Sequence, residues 1–325
     1  MTSRKLPIAV YYEHQEWFRP LFEELDRRAT PYLRLDARRH RYDPGSTEVQ
    51  YSLFFNRMSS SAYTRGNGQG INYTYNYLAH LERIGTPVVN GSKAFAVETS
   101  KPMQLSLLAS LGFVFPRTVV INDPADAPGA AKEIGYPLIF KPSIGGAGSG
   151  VARFDSAGAL EEAVEDGSVD LGFHRTALVQ EYIPPRGGHI TRVETLDGKY
   201  FYAIQVYTTG ESFNLCPADA CQVPDVMQRA VAVDMGDAAC PVEAVKKGLR
   251  VESCEPPRDV IESVERIARE VRMDVGGVEY IIDDRDGRLL FYDINVLSNF
   301  VADAKRILGF DPHERLVDYL EGRAF

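Results

Sequence analysis

The sequence predicts a mixed α/β (α+β) chain, an alternating strand–helix unit followed by antiparallel hairpins. Three observations predict it. Short apolar runs such as LPIAVYY (6–12) and YSLFF (51–55) alternate with amphipathic helical stretches. A glycine-rich hairpin, PLIFKPSIGGAGSGVARF from Pro137 to Phe154, joins two further apolar runs. Near the end, VGGVEYIIDDRDGRLLFYDIN folds back through an Asp/Gly turn.

With 325 residues the chain can bury two or three cores. A hydrophobic content of 44% and a charged content of 25% are those of a soluble globular protein. The net charge of −9 argues against nucleic acid as a partner, which leaves a basic footprint. No apolar run approaches the roughly 20 residues that span a bilayer, so no membrane association is expected. The N-terminus shows no cleavage pattern of a signal peptide, and the expected location is cytoplasmic. Cys216, Cys221, Cys240 and Cys254 share one segment, but without the paired C-x2-C spacing of a zinc site.

In order, a strand at 6–12 precedes an amphipathic helix from Glu16 to Arg28, and strands follow at 31–35 and 51–55. The polar loop after the last of these opens at Asn56 and Arg57 and precedes a helix over 72–84. Ligands bind beyond the carboxyl ends of strands in open α/β sheets, so Arg57 is a candidate for a substrate carboxylate. A strand at PVVN leads to a helix carrying Lys101, with Ser100 as its N-cap. FVFPRTVVI, a helix ending at Ile134, the glycine hairpin, a helix near 156–166 and the strand TALVQEYI come next. Residues 188–206 form two strands joined at Asp197-Gly198, and 208–256 is long and aperiodic. A helix over 257–273, the C-terminal hairpin and a helix near 312–321 complete the chain.

Two stretches carry chemistry. In the hairpin, Gly145, Gly146, Gly148, Ser149 and Gly150 follow Lys141, which ends a strand. Glycines let backbone N–H groups approach an anion, and the lysine adds a compact positive charge. A P-loop would place its lysine after the glycines and open a helix; here the lysine comes first and a strand follows. In the C-terminal hairpin, Glu279 lies on one strand, and Asp293 and Asn295 lie two apart on the other, facing one side. Three oxygen donors then converge, a set that suits Mg²⁺. Asp283, Asp284 and Asp286 read as solvated turn residues.

The order of these pieces resembles the ATP-grasp superfamily, and within it the branch of glutathione synthetase and the ligases that add glutamate to peptides or proteins. The resemblance covers nearly the whole chain. It implies an N-terminal pre-ATP-grasp domain at 1–95 and an ATP-grasp domain at 96–325, with a lid at about 113–182 and an antiparallel C-terminal subdomain at about 183–325. Lys101 and Lys141 match the family's two nucleotide lysines. VQEYI looks like its adenine-holding linker, through Gln180, Glu181, Tyr182 and Ile183. Arg192 resembles the arginine that steadies the transferred groups, and Asn214 an asparagine near the phosphates. Glu279, Asp293 and Asn295 match two magnesium sites, where Mn²⁺ is an alternative. Two differences stand out: Ile190 occupies a position the branch gives to an acidic residue, and DINVLSNF replaces a Pro-Gly turn.

The implied function is an ATP-dependent carboxylate–amine ligase working through an acyl phosphate, with Arg192 and Lys141 catalytic. Its substrates would be a small carboxylate and an amine, an amino acid or a peptide, and a homo-oligomer is compatible with the pattern. The rivals are a small-molecule kinase on the same fold and a nucleotide-binding regulator without catalysis.

Overall fold

The computed structural model describes residues 6–145, 148, 150–207 and 250–325. Gly146, Ser149, Asn214, Cys216, Cys221 and Cys240 lie outside the described residues.

The N-terminal unit is a parallel sheet of β1 (Ile8–Tyr12), β2 (Tyr32–Asp36), β3 (Leu53–Arg57) and β4 (Val88–Val89), in the order β2-β1-β3-β4. Alternation divides β1 between two cores. Ile8, Val10 and Tyr12 meet Leu21, Phe22 and Leu25 of helix α1 (Arg19–Arg27), while Ala9 and Tyr11 meet Ile71, Leu78 and Leu81 of α2 (Gln69–Arg83). The helix expected from Glu16 is a 3₁₀ turn, Gln15–Phe18, that becomes α-helical at Arg19 with Pro20 in its first turn. Proline suits that position because its missing N–H is not needed there. β3 runs two residues past the expected end. Asn56 and Arg57 are buried strand residues whose polar groups find partners on distant segments, invisible to an apolar pattern.

Two short helices follow, α3 (Ser92–Glu98) and α4 (Lys101–Ser110). Ser100 caps α4 as expected, its Oγ accepting the Met103 N–H at 3.4 Å, and so sets Lys101 at the first helical position.

The middle sheet is antiparallel: β5 (Thr118–Ile121), β6 (Leu138–Pro142), β7 (Ala152–Phe154) and β8 (Ala177–Glu181), in the order β5-β8-β6-β7. Helices α5 (Ala127–Ile134) and α6 (Ala157–Glu165) cover one face, where Ala130 and Ala131 let α5 approach Leu138 and Phe140. Lys141 alternates with these two and points away from the helices.

The third sheet has the order β11-β10-β9-β12-β13, from β9 (His189–Leu196), β10 (Lys199–Tyr207), β11 (Val251–Cys254), β12 (Val275–Ile282) and β13 (Leu289–Asn295). Asp197 and Gly198 both have positive φ, 57° and 65°, as a tight hairpin turn requires. Helix α7 (Arg258–Val271) packs Val260, Val264, Ile267 and Val271 on one face of this sheet. On the other, Ile190, Tyr202 and Ile204 share a core with Val10 and Phe55 of the first sheet. That core also receives Leu316 and Leu320 of α9 (Pro312–Ala324), which follows the short α8 (Ala304–Leu308). The shared core brings the carboxyl ends of β1 and β3 to the face of the third sheet.

Asp283 corrects the expectation of a solvated turn. It is fully buried, and Arg285 donates to both its carboxylate oxygens (2.9 and 2.6 Å) while also reaching Glu181 at 2.7 Å. The turn is thus tied to the end of β8.

Gly276 shows how closely the strands approach. A Cβ there would lie 2.6 Å from the Asn295 carbonyl oxygen and 2.3 Å from Met273 Sδ. Backbone cannot give way as a side chain can, so Gly276→Ala is expected to cost about 2 kcal/mol or more. Chemical denaturation checks this against an exposed glycine change such as Gly322→Ala. Among the described residues, no helix is long and apolar enough to cross a membrane.

Candidate active site

Lys141 and Asp293, far apart in the chain, come together between the middle and third sheets. Lys101 Nζ donates to Asp293 Oδ1 at 2.5 Å, tying the start of α4 to the end of β13. Burial alone would raise the Asp293 carboxyl, but the ammonium groups of Lys101 and Lys141 hold it below its usual range. Burial likewise opposes the charge on Lys101, and Asp293 overcomes it, so that this ammonium is held more firmly than usual. Lys141 is 6% exposed, and its ammonium makes no hydrogen bond among the described residues. Its burial, and the charge of Lys101 beside it, bring its ammonium down to about 7 despite Asp293 and Glu279.

Glu279 faces Arg192 across β12 and β9, where the register pairs them directly. Its Oε1 accepts from Arg192 Nη1 at 3.0 Å and from Asn295 Nδ2 at 3.1 Å. A β-bulge between Glu279 and Tyr280 sets two residues of β13 against one, and the Tyr292 hydroxyl donates to Glu279 Oε2 at 2.7 Å. Burial, with the neighbouring Asp293, raises the Glu279 carboxyl, although Arg192 opposes the shift. Arg192 also donates through Nε to Glu194 at 2.5 Å, and its two carboxylates keep its guanidinium charged in spite of burial. Gly277 leaves room for this clamp, since a Cβ there would meet Arg192 Nε at 2.9 Å.

The root of the glycine hairpin rests on the N-terminal unit. Ile144 is buried in its core, and the Tyr63 hydroxyl donates to the Ile144 carbonyl at 3.3 Å. Ser60 Oγ lies 3.0 Å from the Gly145 carbonyl and 2.8 Å from Glu98 Oε1. The Lys101 N–H donates to the Ser143 carbonyl at 2.8 Å, so the lysine and the hairpin are held by one contact. Gly148 and Gly150 have φ of 75° and 73°, which their lack of a Cβ permits.

Of the linker residues, Gln180 donates to Thr118 Oγ1 at 2.8 Å, and Glu181 accepts from Arg285. Their side chains are engaged within the protein. The Tyr182 ring lies under Arg153, 4.2 Å from centroid to guanidinium carbon, and Ile183 is buried in the first core.

Arg57 is no surface arginine, being 3% exposed. Its Nη2 donates to the Ser298 carbonyl and to Asn299 Oδ1 (3.2 Å), and its guanidinium lies 4.9 and 5.0 Å from the Phe18 and Phe55 rings. Burial brings it down to about 9 against the pull of Glu194 and Glu98.

Three residues of this cluster escape sequence reasoning. Glu194 carries a signal, standing two residues after Arg192 on one strand and hence on the same face. Tyr292 depends on a bulge, and Glu98 on the loop after β13, whose Val296 N–H it binds at 2.5 Å. Four basic side chains, Lys101, Lys141, Arg192 and Arg57, thus stand among four acidic ones, Glu279, Asp293, Glu194 and Glu98. No group of three His, Cys, Asp or Glu side chains fit to hold a metal occurs among the described residues. The oxygen set here is two carboxylates and an amide, which suits an ion that completes its shell with phosphate and water.

No family model matches the chain. The structure of the ATP-grasp ligase PsnB, complexed with a phosphomimetic variant of its minimal precursor, Mg and ADP, superposes with a TM-score of 0.67 at 18% identity, covering 99% of this chain and 100% of that one. The chain has the ATP-grasp fold. In sequence, 104 residues are 35% identical to a D-alanine--D-alanine ligase of Ectopseudomonas mendocina, spanning 32% of each protein. A probable alpha-L-glutamate ligase of Teredinibacter turnerae is 29% identical over 134 residues, 41% of this chain and 44% of that protein. The chain thus spans about a third to under half of the length of these curated relatives. The middle sheet, the third sheet and the start of α4 meet at the cluster of Lys101, Lys141, Arg192, Glu279, Asp293 and Asn295.

Proposed function

We propose that this chain is an ATP-dependent carboxylate–amine ligase that forms an amide through an acyl phosphate and releases ADP and phosphate. The observation that carries this reading is the meeting of a buried and a half-buried lysine with a carboxylate pair and a strand arginine, brought together from the middle sheet, the third sheet and the start of α4. The sequence relatives named above are a D-alanine--D-alanine ligase and a probable alpha-L-glutamate ligase, which supports it.

In this reading Lys141 and Lys101, with the backbone of Gly145, Gly146, Gly148 and Ser149, hold the triphosphate. Lys141, buried and without a hydrogen-bond partner among the described residues, has its charge free for a phosphate oxygen. Backbone groups of Gln180 to Ile183 would hold the base, and Asn214 would approach the phosphates. Glu279, Asp293 and Asn295 would hold Mg²⁺, two ions in the full assignment, with Mn²⁺ as a substitute. When bound, the metal neutralises charge on the phosphates during transfer.

A carboxylate is a poor electrophile, and accepting the γ-phosphoryl group turns it into an acyl phosphate. Arg192, fixed on two sides by Glu194 and Glu279, is set to stabilise the oxyanion that forms when an amine attacks. The hairpin, seated on Ser60 and Tyr63, would exclude the water that hydrolyses an acyl phosphate. Arg57 would act on a substrate carboxylate. The working units are residues 1–95 and 96–325, with the lid at 113–182 and the last subdomain from 183, and the setting is the cytoplasm, where ATP is at hand.

The test incubates the protein with Mg–ATP and a panel of amino acids and short peptides, following ADP release and identifying products by mass spectrometry. A new amide with ADP and phosphate is the expected result. A stable phosphorylated product would make the protein a kinase, and nucleotide binding without any substrate-dependent ADP release a regulator.

A further inference from the structure

β13 carries Asp293 and Asn295, and it is the edge of its sheet: in the order β11-β10-β9-β12-β13 no strand among the described residues pairs with its outer side. An edge strand turns the N–H and C=O of every second residue outward, and buried backbone groups are nearly always paired. Here the stretch from Asn90 to Val114 meets them, mostly with side chains. Ile294, between the two ligand residues, donates its N–H to Gln104 Oε1 at 3.1 Å, and its carbonyl accepts from Gln104 Nε2 at 2.9 Å. Val296, next after Asn295, donates its N–H to Glu98 Oε2 at 2.5 Å, and its carbonyl accepts from Asn90 Nδ2 at 2.8 Å. Further back, the Phe291 N–H donates to the Val114 carbonyl at 3.0 Å.

The two amides of this clasp are themselves fixed. Gln104 is 1% exposed, and its Nε2 also donates to the Val97 carbonyl at 3.0 Å. Asn90 is fully buried, with the positive φ of 56° that asparagine tolerates. Its Oδ1 accepts from the Asp274 and Val275 N–H groups at 3.0 and 3.2 Å, and its Nδ2 also donates to the Val275 carbonyl at 2.6 Å. Both N–H groups of each amide are thus used, which leaves one orientation for each. Gln104 also stands three residues after Lys101 on α4, on the same side of the helix. One helix therefore grips the Asp293 side chain through Lys101 and the backbone of the next residue through Gln104.

We infer that Gln104, with Asn90 and Glu98 beside it, is a positioning residue: the clasp fixes the backbone at Ile294 and Val296 so that Asp293 and Asn295 stand ready for metal. This rests on the metal assignment within the ligase reading and goes beyond it. Alternation puts the two side chains on one face, but a strand held by ladder bonds on one side only is free to twist. The clasp supplies the second side, in place of a further strand. Gln104 is directed at the backbone rather than at the ligand side chains, so its effect on them passes through Ile294.

The test is calorimetry on the full chain, measuring ADP affinity in Mg²⁺ and again in EDTA for the parent, Gln104→Met and Leu25→Ala, with a melting curve for each. Methionine keeps the length of the side chain and loses its hydrogen bonds. Leu25 is buried against β1 in the N-terminal unit, so its variant reports a general loss of stability. Mg²⁺ should strengthen ADP binding to the parent. Gln104→Met should lose at least about tenfold of that strengthening, the scale for partners that orient metal ligands, while its ADP affinity in EDTA stays within about threefold of the parent's. Leu25→Ala should keep the strengthening although it melts lower. A smaller loss in Gln104→Met, or an equal loss in Leu25→Ala, overturns the inference and leaves Gln104 a role in stability alone. Should Gln104→Met fail to fold, hydrogen exchange on the unaltered protein decides. Without metal, the Ile294 and Val296 amides should be protected as strongly as those of the inner strand β12. Fast exchange there that slows only with Mg–ADP would overturn the inference. Mg²⁺ that leaves the parent's ADP affinity unchanged would remove the metal assignment itself, and this inference with it.

Discussion

Asp293→Asn is expected to lower ATP turnover at least about a thousandfold, the scale of losing electrostatic stabilisation at the transferring group. The change removes one charge and almost no volume. It takes away the carboxylate that would bind metal, and it also strips Lys101 of the partner 2.5 Å from its ammonium. That ammonium keeps its charge inside the protein because Asp293 outweighs the burial that opposes it. One substitution therefore weakens both the metal-holding and the phosphate-holding halves of the cleft. Steady-state ADP release, with a melting curve to confirm folding, checks it. Turnover within tenfold of the parent would remove Asp293 from the reaction.

Lys141→Met is expected to abolish a pH dependence as well as to weaken nucleotide binding. In the free protein the Lys141 ammonium is brought down to about 7 by burial and by Lys101, so it is charged below that pH and neutral above it. A polyphosphate favours the charged form and raises this value on binding. Nucleotide affinity should then fall as pH rises above 7, and binding at pH 8 should take up a proton. Calorimetry in buffers of different ionisation enthalpy reads both effects, and the methionine variant should show neither. Stability should move the other way. An unfolded lysine stays protonated to about 10.4, so between about 7 and 10.4 the unfolded chain binds more protons and stability rises with pH. Below 7 the parent carries the full cost of a buried ammonium. Lys141→Met should melt several degrees higher than the parent at pH 6, with the gap closing toward pH 10. An equal or lower melting temperature at pH 6 would mean that Lys141 is not buried as charge.

The sequence made the strands and their alternation legible wherever packing follows period two. Lys141 could be set opposite the helices because Leu138 and Phe140 are apolar neighbours on the same strand. The cap at Ser100 and the turn at Asp197-Gly198 have local causes, and both are where local reasoning puts them. What stayed hidden needed contacts between distant segments. Asp283 looks like a turn acid until Arg285 folds back on it and reaches Glu181. Arg57 looks like the start of a loop, because nothing nearby reveals that Ser298, Asn299, Phe18 and Phe55 will enclose it. Tyr292 reaches Glu279 through a bulge, which an alternating pattern cannot carry.

The most direct measurement is a crystal structure with Mg²⁺ and a non-hydrolysable ATP analogue. The β- and γ-phosphates are expected within hydrogen-bond reach of Lys101 and Lys141, with metal bound to Asp293, Glu279 and Asn295. A nucleotide lodged elsewhere, with these side chains paired as they are now and no metal among them, would contradict it.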